Sequence, residues 1–167
     1  MHQIKKRWRL TLGFAIVGTA AAISGGGGGG GGTSLPGRLT GGGSIINNGI
    51  RVTHGFELNC DATVNPQNLQ INWPGYKFHL QQLNSAFCSY DPSINPGQPA
   101  AGFNTYTGSG TGRLNGVDGA TVDFIFTDAG EPGINDTAAY TISDSGGNLV
   151  LTASGYLDKG NQQAHNP

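Results

Sequence analysis

The chain is poor in charge and in thiols. Only 11% of its 167 residues are charged, two are cysteine and one is methionine. Four of the nine basic residues, Lys5, Lys6, Arg7 and Arg9, precede Leu10. Beyond residue 22 five remain (Arg38, Arg51, Lys77, Arg113, Lys159) against ten acidic ones, leaving a net charge of about −5. A nucleic-acid partner needs clustered cations to meet phosphates, and five cations scattered along the sequence set that class aside. No segment holds a helical period long enough for a substantial helix. The glycine run at 25–32 is not followed by GK[ST], which excludes a phosphate loop. No serine sits in a G-x-S-x-G elbow, and the two cysteines are not spaced as a C-x-x-C redox pair.

What stands at the N-terminus reads as an export signal over residues 1–22. A basic start is followed by a short apolar stretch from Leu10 to Ile23, with Ala20-Ala21-Ala22 as the cleavage site. That stretch is shorter than the roughly 20 residues of a membrane-spanning helix, so no span is expected in the mature chain. Ser24 stands where a bacterial lipoprotein signal has its lipidated cysteine, which predicts a product that is released and not lipid-anchored. Residues 23–38, with Gly25 to Gly32 unbroken, are expected to form a flexible linker, because glycine loses the most backbone freedom on ordering.

The folded module is expected over 39–167. The stretch Val52 to Cys60 organises it: Val52, His54, Phe56, Leu58 and Cys60 share one face of a strand, while Thr53, Gly55, Glu57 and Asn59 share the other. Asn47-Asn48-Gly49 supplies a hairpin turn from Ser44-Ile45-Ile46. Further alternations follow at Leu69, Ile71 and Trp73, at Tyr76, Phe78 and Leu80, at Val122, Phe124 and Phe126, and at Ala138, Tyr140 and Ile142. Leu149 to Ala153 is the last firm strand, and Leu157 to Pro167 is expected to fray. Thr105 to Arg113 alternates Thr or Ser with Gly, which suits either a strand with a nearly bare face that something must approach closely or a wide loop. Turn signals about every ten residues predict an antiparallel β-sandwich of seven or eight short strands. The cysteine interval, with Trp73 inside it, only partly meets the immunoglobulin pattern.

Two cysteines in an exported chain pair, so a Cys60–Cys88 disulfide is expected. Asp128, Glu131, Asn135 and Asp136 fall on one Gly- and Pro-rich turn and are the candidate ligands for Ca²⁺, a cation that prefers hard oxygens. The spacing is not that of an EF-hand, and turn acids bonded to local backbone N–H groups are the plainer interpretation. His54 is expected as a buried neutral imidazole. A zinc or acid–base site of His54, His79 and Glu57 is disfavoured by the opposite parity of His54 and Glu57. Tyr90 and Tyr106 flank the proline-rich loop and are the candidate exposed aromatics for stacking on a ligand.

The strings R-V-T-H-G-F-E-L-N-C-D (51–61), N-L-Q-I-N-W (68–73), F-N-T-Y-T-G-S-G-T-G-R (103–113), F-T-D-A-G-E-P-G (126–133) and G-N-Q-Q-A-H (160–165) together resemble a module of bacterial secreted proteins, the post-COAP-1 type domain. The resemblance spans about residues 40–165 and implies location and architecture; it carries no activity to any residue. Asn59 stands where members often have histidine. The function expected is a secreted structural or binding module of the bacterial exterior, its partner a surface glycan or protein. The alternative is a small extracellular glycan hydrolase drawing a carboxylate pair from Glu57, Asp123, Asp128 and Glu131.

Overall fold

Alternating side chains turn most of the chain beyond the glycine run into strand. The computed structural model describes residues 32–94 and 101–167. The export segment, Ser24, Gly25 to Gly31, Pro96 and Pro99 lie outside them. Nine strands form: β1 (Arg38–Asn47), β2 (Ile50–Asn59), β3 (Gln67–Trp73), β4 (Tyr76–Ser89), β5 (Thr105–Leu114), β6 (Val117–Thr127), β7 (Thr137–Ser143), β8 (Leu149–Tyr156) and β9 (Lys159–His165). The hairpin turns use residues that tolerate positive φ: Asn48 and Gly49 (50° and 78°) between β1 and β2, Asn115 and Gly116 (51° and 85°) between β5 and β6.

All nine strands belong to one antiparallel sheet in the order β8-β7-β6-β5-β4-β3-β2-β1-β9. The expected sandwich of two sheets is corrected here to a curled, open half-barrel. Connectivity forces the curl. Only Leu157 and Asp158 separate β8, at one end of the sheet, from β9, at the other. Three Cα steps reach roughly 11 Å, so the two ends must approach each other. The Asp158 N–H bonds the Ser44 carbonyl, and the Asn47 amide reaches the Thr152 carbonyl across the remaining seam. Register shifts within β4, between Leu80 and Gln82 and between Leu83 and Ser85, add local bend.

The inner face buries Leu39, Ile45, Val52, Leu58, Leu69, Ile71, Phe78 and Ile142 around an aromatic string. Phe56 stacks on Phe126 at 4.2 Å, Phe126 meets Phe124 at 5.2 Å, and Phe124 stacks on Tyr106 at 5.9 Å. The bare face of β5 is met as expected. A Cβ at Gly108 would strike the Phe124 ring, and one at Gly112 would lie 2.8 Å from the Phe78 ring. Glycine is required there because the Phe124 ring fills the space at Gly108 and the His79 backbone carbonyl, with the Phe78 ring, fills it at Gly112.

Two segments are more ordered than their composition predicts. Ser34 to Gly37, expected as tether, runs between Cys60, which directly follows β2, and Cys88 in β4. The Leu35 N–H bonds the Cys88 carbonyl, the Cys60 N–H bonds the Gly37 carbonyl, and the Ser34 hydroxyl bridges both cysteines. The tail expected to fray forms β9, paired with β1 from Arg38↔His165 to Ser44↔Lys159.

Candidate functional site

The acidic turn between β6 and β7 lies against the outer edge of β9. β1 occupies one edge of β9, and the N–H groups on its other edge need acceptors. Asp136 Oδ2 accepts from the Gln162 N–H and Asp128 Oδ2 from the Ala164 N–H, each at 2.8 Å. The second oxygens serve the turn itself: Asp136 Oδ1 accepts from Ala129 N–H and Asp128 Oδ1 from Gly130 N–H. Glu131 Oε1 accepts from the side-chain amides of Asn161 and Gln163, both at 2.7 Å. Three of the four proposed calcium ligands thus hold the turn to β9. Asn135 is exposed and forms none of these bonds. Among the described residues no group of three or more His, Cys, Asp or Glu is arranged to hold a metal ion.

Asp136 is fully buried. Burial pushes its carboxyl up to about 6 against the pull of the Ala129 and Gln162 N–H groups, and the charges of Asp128 and Glu131 push it the same way.

His54 occupies the aromatic core, as its parity predicts. Its ring stacks on Phe56 at 5.7 Å and lies 5.3 Å from Phe126. The Tyr140 hydroxyl bonds Nδ1, and the Gln162 amide nitrogen lies 3.4 Å from Nε2. Burial lowers the imidazole pKa to about 4 and raises that of Tyr140, so the ring is neutral and the phenol keeps its proton. The unfolded imidazole takes up a proton near 6.5 and the folded one only near 4. Stability linked to His54 is therefore complete above pH 6.5 and lost as the pH falls towards 4. Relative to His54→Gln, the wild type is expected to lose about 3 kcal/mol between pH 7 and pH 4, read by urea unfolding at each pH. His79 lies on the outer face and is exposed, so the two histidines sit on opposite faces and share no site.

The disulfide forms as expected, joining Cys60 to Cys88 with Cα atoms 5.5 Å apart. The proposed exposed tyrosine pair does not form. Tyr90 is half exposed, but Tyr106 is fully buried and its hydroxyl donates to the Asn59 carbonyl. Its parity carried the signal, since Tyr106 shares a face with Gly108, Gly110 and Gly112.

The aromatic platform lies elsewhere, at the β3–β4 hairpin. Tyr76 stacks on Trp73 with centroids 5.0 Å apart and planes 13° from parallel. Trp73 is 9% exposed and Tyr76 41%, so the tyrosine ring lies on the buried indole with one face to solvent. A groove of about 510 Å³ opens beside it, lined also by Arg51 and Lys77. It shares Lys77 and Asn115 with a second groove of about 470 Å³ that runs along His79 and Arg113. Three of the five cations beyond residue 22 thus gather on one outer face. The pairings Thr53↔Asn72, Asn72↔Lys77 and His79↔Arg113 are the reason, because cross-strand partners share a face and Arg51 and Lys77 lie two residues from Thr53 and His79. A wider cleft of about 780 Å³ lies at the disulfide end, between Thr33–Arg38 and Asn59–Ala62.

No protein-family model matches the chain, and no curated protein or solved structure matches it. Among the described residues no helix is long and apolar enough to cross a membrane.

Proposed function

We propose that the chain is an exported, disulfide-bonded module of the bacterial exterior, of the post-COAP-1 type, that binds a surface partner and catalyses no reaction. The observation that supports binding over hydrolysis is how the carboxylates are engaged. A glycan hydrolase needs two carboxyl groups facing each other across a cleft, about 5–9 Å apart. Asp128 and Glu131 are held by β9, Glu57 lies 3.6 Å from Arg38, and Asp123 is exposed on the outer face of β6. The grooves at the β3–β4 hairpin are lined instead by aromatic, amide and cationic groups. That composition suits recognition by stacking and hydrogen bonding.

Expression of the full chain in a bacterial host tests this function. The protein is expected outside the cytoplasm with both thiols blocked, and its incubation with polysaccharides should release no reducing ends. Cytoplasmic retention with free thiols would overturn export. Release of reducing ends that is lost in Asp123→Asn would overturn the non-catalytic function.

A further inference from the structure

We propose that the two adjoining grooves at the β3–β4 hairpin bind an acidic polysaccharide, with one sugar ring stacked on Tyr76 and its carboxylate held by Lys77. This rests on the binding-module function and names its ligand class and place. Tyr76 offers an exposed π-face whose orientation is fixed from below by Trp73. A ring already immobilised by stacking loses little further freedom when a ligand lands on it. Aromatic faces carry negative potential, and the C–H face of a pyranose presents the complementary edge.

The charge on this surface is complementary to that of the ligand. The chain beyond residue 22 carries twice as many acids as bases, yet neither groove has a carboxylate in its lining. Arg51 and Arg113 are already turned towards Asp158 and Asp118, at 2.6 and 2.5 Å. Lys77 forms no ion pair among the described residues, and Asn115 fixes its backbone on both sides: the Lys77 N–H donates to Asn115 Oδ1 and its carbonyl accepts the Asn115 N–H. It is the cation positioned to take an incoming carboxylate, because it lines the same groove as Tyr76 at the end of the hairpin. His79, Gln81 and Arg113 line the second groove, which gives room for a further residue of an extended polymer.

Calorimetric titration of the exported chain with polygalacturonate, dextran and inorganic polyphosphate tests the site. Polygalacturonate is expected to bind, weakened about tenfold in Tyr76→Ala and about fivefold in Lys77→Gln, and to weaken with added salt. Dextran is expected to bind far more weakly, and the affinity of polyphosphate should not change in Tyr76→Ala. Both positions are exposed, so unchanged thermal midpoints will show that the variants are folded. Equal binding of dextran and polygalacturonate would overturn the acidic ligand class. Polyphosphate binding as tightly as polygalacturonate, with neither affected by Tyr76→Ala, would overturn stacking in favour of charge alone. Polysaccharide binding indifferent to both substitutions would overturn this site while leaving the binding-module function in place. No binding of any of the three polymers would overturn the inference, and the export and reducing-end assays would then decide the broader function separately.

Discussion

Replacing Asp136 with alanine is expected to destabilise the fold by about 4 kcal/mol near pH 5. Its carboxyl group serves two N–H groups, those of Ala129 and Gln162, and each buried donor left without an acceptor costs about 1–3 kcal/mol. The pH dependence is the sharper part of the result. The folded carboxyl holds its proton up to about pH 6 and the unfolded one only to 3.8. Stability linked to Asp136 is therefore highest below 3.8 and falls as the pH rises towards 6. The penalty of Asp136→Ala should accordingly be smaller at pH 7 than at pH 5, by roughly 1 kcal/mol. Guanidinium unfolding at the two pH values measures both. A loss under 1 kcal/mol at pH 5 would mean that neither N–H depends on the side chain. His54 acts in the opposite sense over the same range, so the wild type alone hides both effects and the single variants expose them.

The second large effect concerns the disulfide. Cys60 and Cys88 enclose a loop of sequence separation 28, and opening such a loop in the unfolded chain gives back about 3.5 kcal/mol by the chain-entropy relation. The double variant Cys60→Ala/Cys88→Ala should lose that much, and more from buried volume, since both cysteines are buried. The damage should extend to the segment Ser34 to Gly37, whose hydrogen bonds run to the backbone of both cysteines. Chemical denaturation of the double variant, with limited proteolysis near Ser34, checks both consequences. Equal stability with an intact segment would show that backbone pairing alone holds the two strands.

Much of the fold was legible in the residues, because alternation names the buried face of a strand whatever its neighbours do. His54, Phe56, Phe124 and Tyr140 all point inward as their parity requires. The disulfide and the crowded glycine face of β5 follow from equally local signals. The architecture was not legible in this way. Whether nine strands make two sheets or one depends on which edges meet, and the deciding strand, β9, carries almost no apolar pattern. Its inward residues are Gln162 and Ala164, and its partners are the glycines of β1 and the carboxylates of a loop some 30 residues earlier. Backbone hydrogen bonding to distant groups leaves little trace in hydropathy. For the same reason the acidic turn looked like a ligand cradle. Its composition names oxygen acceptors, and only the fold shows that β9 supplies the donors. Alternation favours packing for both Trp73 and Tyr76, and a strand end lets one of the two stacked rings face out.

The most direct test of this account is native-state hydrogen exchange at the Gln162 and Ala164 amides of the full chain. If Asp136 and Asp128 close the outer edge of β9, both amides exchange as slowly as those of Asn161 and Gln163, which face β1 by the alternation of an antiparallel ladder. Asp128→Ala should then expose Ala164 selectively. Fast exchange of Gln162 and Ala164 in the wild type, at the rate of an open strand edge, would contradict it.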